Sequence, residues 1–186
     1  MPEFLLSQSW NLVKERDGIK VYTRPEPGTS FKSFKGETEF LADAEKVMDL
    51  IGNVKNFDWW DDNISEIKVL DYEEGKFMKY YLVYSVPWPL YDRDLCVEAN
   101  IYINPKTGAK EVMATPLREE IPEYPNRVRI KNYWQKWTIL LLQDGMIRLT
   151  VEGFVDPGGI VPSWIYNMVI TETPLKVIRD VRKHAE

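Results

Sequence analysis

In GIKVYTR (Gly18–Arg24), Ile19, Val21 and Thr23 alternate with Lys20, Tyr22 and Arg24, the period-two pattern of a half-buried strand. PEPGTS then reads as a turn, and Phe31 to Phe40 as the antiparallel partner strand. The period lengthens after that. Ala44, Val47, Met48, Leu50 and Ile51 fall at helical spacing behind Asp43, a residue type that caps helices by accepting from backbone N–H groups. A second short helix is expected over Val54–Trp60. Period two resumes in Glu66–Tyr72, Phe77–Val86, Asp94–Ile103, Lys110–Thr115, Arg127–Leu142 and Met146–Val155, with EEGK, NPKTG and QDG as turns between several of them.

Two of these strands have informative faces. Leu95, Val97, Ala99, Ile101 and Ile103 share one side, with Arg93 on the same parity at one end. Met78, Tyr80, Leu82, Tyr84 and Val86 share a side of the preceding strand, where buried Tyr80 and Tyr84 hydroxyls need partners from the protein, water or a ligand. Arg127–Leu142 loses clean alternation between Asn132 and Trp137, which predicts a bulge or strong bend. There Trp134 either packs under an edge or lines an interior space.

The chain closes on a helix expected over Pro162–Lys183, with proline in its first turn. Its first half is apolar (Trp164, Ile165, Met168, Val169, Ile170), and its second half carries a stripe of Leu175, Ile178 and Val181. Pro174 predicts a kink, because it removes one intrahelical bond. The order of hairpin, helices, meander and long helix gives an α+β fold: a curved antiparallel sheet wrapped around the C-terminal α-helix, one domain over residues 1–186. The space between them is filled either by large side chains or by a ligand.

Composition narrows the chemistry. A net charge of -5 argues against a nucleic-acid partner. Seven Trp and ten Tyr imply a large core or a wide apolar cavity. With one cysteine, Cys96, and one histidine, His184, in what reads as a solvated tail, neither a disulfide, a Cys-based zinc site nor a His-dependent triad can be assembled. No metal or other cofactor is called for, and a monomer is the default. No apolar run is long enough to span a bilayer. A cytoplasmic location follows if the N-terminus is native, and an exported one if a leader has been removed.

Few residues read as a reactive site. Asp61 and Asp62 form a carboxylate pair, but their place at a helix end suits capping or a turn. Asp92 and Asp94 flank Arg93, where a salt bridge would fix the base of a loop. Cys96 points away from the apolar face with no activating base nearby. The unusual segment is VPWPLYDRD (Val86–Asp94), a connection between strands that is longer and more apolar than a hairpin requires.

Taken together, GIKVYTR after Trp10, WWDDN, VPWPLYDRD and DPGGIVPSWIYNMVITETPLKVIRDVRK resemble, in order and spacing, a START domain of bacterial type. START is the StAR-related lipid-transfer module of the helix-grip (SRPBCC) superfamily. The resemblance covers nearly the whole chain and implies a U-shaped sheet gripping the last helix over an internal tunnel. It places VPWPLYD in a gating loop at the tunnel mouth, with Trp88, Leu90 and Tyr91 facing Trp164, Met168 and Leu175. Tyr80, Tyr84, Arg93, Leu95, Val97, Ala99, Trp134 and Thr171 complete the implied cavity and gate. Sterol-carrying members often place an arginine six residues beyond that of the Arg-Asp pair, matched to an upstream acid; here those positions are Ala99 and Tyr80, so the cavity is less charged. The function implied is binding and transfer of a lipid, sterol-like or other apolar small molecule, without catalysis and with transient membrane contact. The alternative is a polyketide cyclase/aromatase-like or hydrolase-like enzyme of the same superfamily.

Overall fold

The structure, a computed structural model, describes residues 9–60, 62–117 and 121–186. Strands β1 (Asn11–Arg16), β2 (Ile19–Pro25) and β3 (Lys32–Leu41) form a meander, followed by helix α1 (Ala44–Gly52) and a short 3₁₀ helix, Val54–Trp59. Then come β4 (Ile64–Glu73), β5 (Phe77–Tyr84), β6 (Asp92–Ile103), β7 (Lys110–Pro116), β8 (Arg127–Arg129), β9 (Tyr133–Leu141) and β10 (Met146–Val155). Helix α2 (Ser163–Ala185) ends the chain. One sheet runs β1-β2-β3-β10-β9-β7-β6-β5-β4, antiparallel except that short β8 pairs parallel with β6. This is the α+β arrangement of sheet and long C-terminal helix expected from the sequence.

Local chemistry explains most boundaries. Asp43 caps α1 by accepting from the Glu45 N–H at 2.8 Å. Asp17 and Gly18 both have positive φ, which closes the β1–β2 turn. The expected strand over Arg127–Leu142 is divided, because Ile130–Asn132 leave the ladder between β8 and β9. β1 pairs along the outside of β2 and was not expected. Pro162 stands just outside α2 instead of in its first turn, and the helix continues unbroken through Pro174 to Ala185. His184 accordingly belongs to an ordered last turn, its ring 5.8 Å from that of Trp59, and not to a frayed tail.

Pro174 is fully buried where α2 comes closest to the sheet. A Cβ on Gly36 in β3 would stand 2.7 Å from Ile178 Cδ1 and 3.0 Å from Pro174 Cβ, so only glycine permits this approach. The backbone of α2 therefore runs over β2 and β3, while α1 lies against β9 and β7. At its far end Arg179 and Arg182 grasp the Asp17 carboxylate and carbonyl, at 3.0 and 2.8 Å. At its near end the Tyr166 hydroxyl pairs with the backbone of Lys32, receiving its N–H and donating to its carbonyl.

Four buried tyrosines share one electrostatic condition. Burial pushes Tyr81 and Tyr166 up to about 12, and raises Tyr80 and Tyr133 well beyond the ordinary value of 10.0. The Tyr133 hydroxyl donates to Cys96 O at 2.7 Å and Thr115 O at 3.3 Å.

Gly36→Ala is expected to cost about 1–3 kcal/mol by overpacking, read by urea unfolding. The added cost should shrink in an Ile178→Val background, where Cδ1 is gone; equal costs would mean that α2 does not press on Gly36. The tyrosines set an alkaline limit. The unfolded chain releases these protons near pH 10 while the fold holds them, so stability is intact below pH 10 and falls as pH rises from 10 toward 12. Absorbance at 295 nm should show some tyrosines ionising only with unfolding. One reversible step near pH 10 for all of them, with the fold intact, would contradict this burial.

Candidate functional site: exposed apolar segments around Arg93

The connection from Tyr84 to Asp92 is held at its base and open at its tip. Ser85 N–H donates to Asn63 O at 2.7 Å, Val86 N–H to Asp92 Oδ1 at 3.1 Å, and Leu90 N–H to Pro87 O at 3.2 Å. Pro87 and Pro89 restrict φ on either side of Trp88, and the Trp88–Pro89 peptide is cis. At the tip Trp88 is 91% exposed and Tyr91 63%, with Leu90 half-buried. The segment leading into α2 is equally apolar: Ile160 is 93% exposed, and Trp164 and Met168 are exposed on the first turns of α2.

Arg93 joins the loop to the stretch that precedes α2. Its Nη1 donates to Tyr91 O at 2.5 Å and its Nε to Pro157 O at 3.4 Å. The salt bridge expected among Asp92, Arg93 and Asp94 is therefore not the arrangement found. Asp94 faces the opposite side of β6 and takes a two-pronged contact from Arg129, Nε to Oδ1 at 3.0 Å and Nη2 to Oδ2 at 2.9 Å. Tyr81 also donates to Asp94, at 3.0 Å, and Arg127 Nη1 donates to the Tyr81 hydroxyl at 2.7 Å. This cluster pins Ile121–Arg129 over the outer face of the sheet, with Arg129 Nη1 reaching Ile121 O at 3.0 Å.

The inward face carries Met78, Tyr80, Leu82, Val97 and Ala99 within the main core, with Leu95 packed against it. Tyr81, Val83 and Cys96 form a separate outer cluster under Leu117 and Ile121. Burial pushes the Cys96 thiol up, away from reactivity. Trp60 meets Tyr80 edge-on at 5.5 Å and also walls a surface pocket of about 300 Å³ between the 3₁₀ helix and β4, which includes Asp62 and Glu66. Burial alone shifts the Tyr80 hydroxyl, with no hydrogen-bonding group contributing.

The remaining expected residues divide. Leu175 is buried in the core, Tyr84 is half-buried, and Thr171 donates to Asn167 O within its own helix at 2.5 Å. The interior placement of Trp134 is corrected: it pairs with Phe154 on the outer face, beside the Lys136–Glu152 ion pair, because Tyr133, Trp137 and Ile139 take the inward parity of β9. Tyr133, Trp137 and Ile160 were missed. Ile160 had a signal, an apolar residue between a glycine pair and a proline. Asp61 lies outside the described residues, and Asp62 is exposed 3.8 Å from Lys176. No group of three His, Cys, Asp or Glu side chains among the described residues is placed to hold a metal.

No family model matches the chain. It is similar to the uncharacterised protein PA1579 of Pseudomonas aeruginosa, 28% identical over 184 residues that span 97% of this chain and 89% of that one. Rat phosphatidylcholine transfer protein is 26% identical over 191 residues, covering 96% of this chain and 85% of the rat protein. The crystal structure of a STAR-related lipid transfer protein from Xanthomonas axonopodis superposes with a TM-score of 0.82 at 28% identity, covering 95% and 98% of the two chains. A sheet packed on its long last helix and similarity along nearly the whole chain converge on the START domain, the StAR-related lipid-transfer form of the helix-grip fold.

Proposed function

We propose that this chain, acting as a single domain over residues 1–186, binds one lipid or other apolar small molecule between sheet and α2 and carries it between membranes unchanged. The observation that carries this reading is the pair of exposed apolar segments, Trp88–Tyr91 and Ile160–Met168, with Arg93 at the end of an apolar inward face bonded to Tyr91 O in the first and to Pro157 O just ahead of the second. Exposed aromatics of this size mark a surface that meets something apolar, and Trp and Tyr suit the membrane interface. The likeness to a phosphatidylcholine transfer protein and to a STAR-related lipid transfer protein supports a lipid as cargo. Apolar burial supplies roughly 0.8 kcal/mol per CH₂, so retention needs no reactive group. Tyr80, Leu82, Leu95, Val97 and Ala99 would line the bound molecule, and Trp88, Leu90, Tyr91, Trp164 and Met168 would gate it.

Native mass spectrometry of the purified chain, before and after incubation with phospholipid vesicles, tests the reading. Adducts of lipid mass at one per chain are expected, and no adduct under any vesicle composition would overturn it. Trp88→Ala should change stability by less than about 0.5 kcal/mol and slow transfer between donor and acceptor vesicles several-fold. A large loss of melting temperature with unchanged transfer would instead make Trp88 a packing residue.

A further inference from the structure

Consecutive residues of a strand face opposite sides of a sheet, and at the start of β6 both are charged and buried. Asp94 is 1% exposed and fully matched by Arg129 and Tyr81. Arg93 is 7% exposed, stands opposite Tyr84 in the register, and shares the inward parity of Leu95, Val97 and Ala99. No carboxylate of the described residues forms an ion pair with it. Asp92, its neighbour in the chain, acts on it only through space and is engaged with the Val86 N–H. Two backbone carbonyls are its partners, one of them at the long distance of 3.4 Å.

A guanidinium has five N–H donors in a planar fork suited to carboxylate or phosphate, and arginine is almost never buried without such a partner. Carbonyl dipoles orient Arg93 but leave its full positive charge in place. That charge sits where the inward apolar face begins, between Tyr91 O of the exposed loop and Pro157 O ahead of α2. We propose that Arg93 receives the anionic head, a phosphate or carboxylate, of an amphiphile whose apolar part lies along the inward face of β5 and β6. The inference rests on the lipid-binding reading and adds the polarity of the cargo and the end at which its head lies. An oxygen pair facing the free edge of the fork would complete the coordination that the protein leaves open.

Isothermal titration of the full chain with dodecyl phosphate, dodecanoate, dodecanol and inorganic phosphate, each below its micelle concentration, tests the assignment. The two anionic amphiphiles should bind about tenfold or more tighter than the alcohol, as a charge-assisted pair requires. Arg93→Gln should erase that difference, with phosphate, carboxylate and alcohol compared within the same variant, and Arg93→Lys should keep part of it. Equal affinities for alcohol and phosphate in the unaltered chain would overturn the proposal and leave lipid binding standing, with Arg93 a strut between the loop and the stretch that precedes α2. Selectivity that survives in Arg93→Gln would also overturn it. Should Arg93→Gln not fold, the head-group ratio of the unaltered chain and its fall in Arg93→Lys decide. Inorganic phosphate binding as tightly as dodecyl phosphate would assign the site to a free anion and overturn the amphiphile. Failure of every amphiphile to bind would defeat the lipid reading itself, and this inference with it.

Discussion

The absence of a side chain at Gly36 determines where the long helix can lie. With Ile178 Cδ1 and Pro174 Cβ already pressed against the space a methyl would need, α2 sits directly on β3 and is kept to the β2–β3 side of the sheet. Asp17 secures one end and the Lys32 backbone the other. Helix α1 covers β9 and β7. The inward face of β5 and β6 is left to be covered by side chains, Trp60 on Tyr80 among them. That inward face is apolar along its length, from Leu95 to Ala99 and from Met78 to Leu82.

The outer face of the same strands is organised by charge. Asp94, Arg129, Tyr81, Arg127 and Glu66 form a continuous chain of contacts beneath the Ile121–Arg129 segment. Breaking a buried ion pair strands its surviving member in a low-dielectric site, so this cluster holds the start of β6 firmly. The loop that precedes β6 is thus fixed where it joins the strand. A firm base and an exposed apolar tip are what a gate requires.

Features encoded by neighbours in the chain were legible in the sequence: the strand faces of β5 and β6, the Asp43 cap, the extent of β10 and the aromatic loop. What depended on distant partners was not. Arg93 and Asp94 look paired because they are adjacent, yet the strand separates them and Asp94 finds Arg129 across a parallel pairing that no local pattern signals. Trp134 changes face because the gap at Ile130–Asn132 resets the alternation of the strand that follows. β1 holds exposed Leu12 and Val13 side by side, so it has no period of two; its strand character comes from the register offered by β2. Pro174 reads as a kink by the rule of the missing hydrogen bond; the helix runs on through it, with the ring buried against β3 at Gly36, a contact no local pattern signals.

The opposed directions of Arg93 and Asp94 have a consequence for how such a protein can change over time. The attachment of the loop is written in two residues at the strand start, while the tip from Pro87 to Tyr91 touches little of the framework. Tip length and side chains are therefore free to be rewritten for another membrane or cargo without disturbing the sheet. A shift of one residue at the strand start has no such freedom: it would send the carboxylate inward and the guanidinium outward, exchanging the polarities of interior and exterior in a single step.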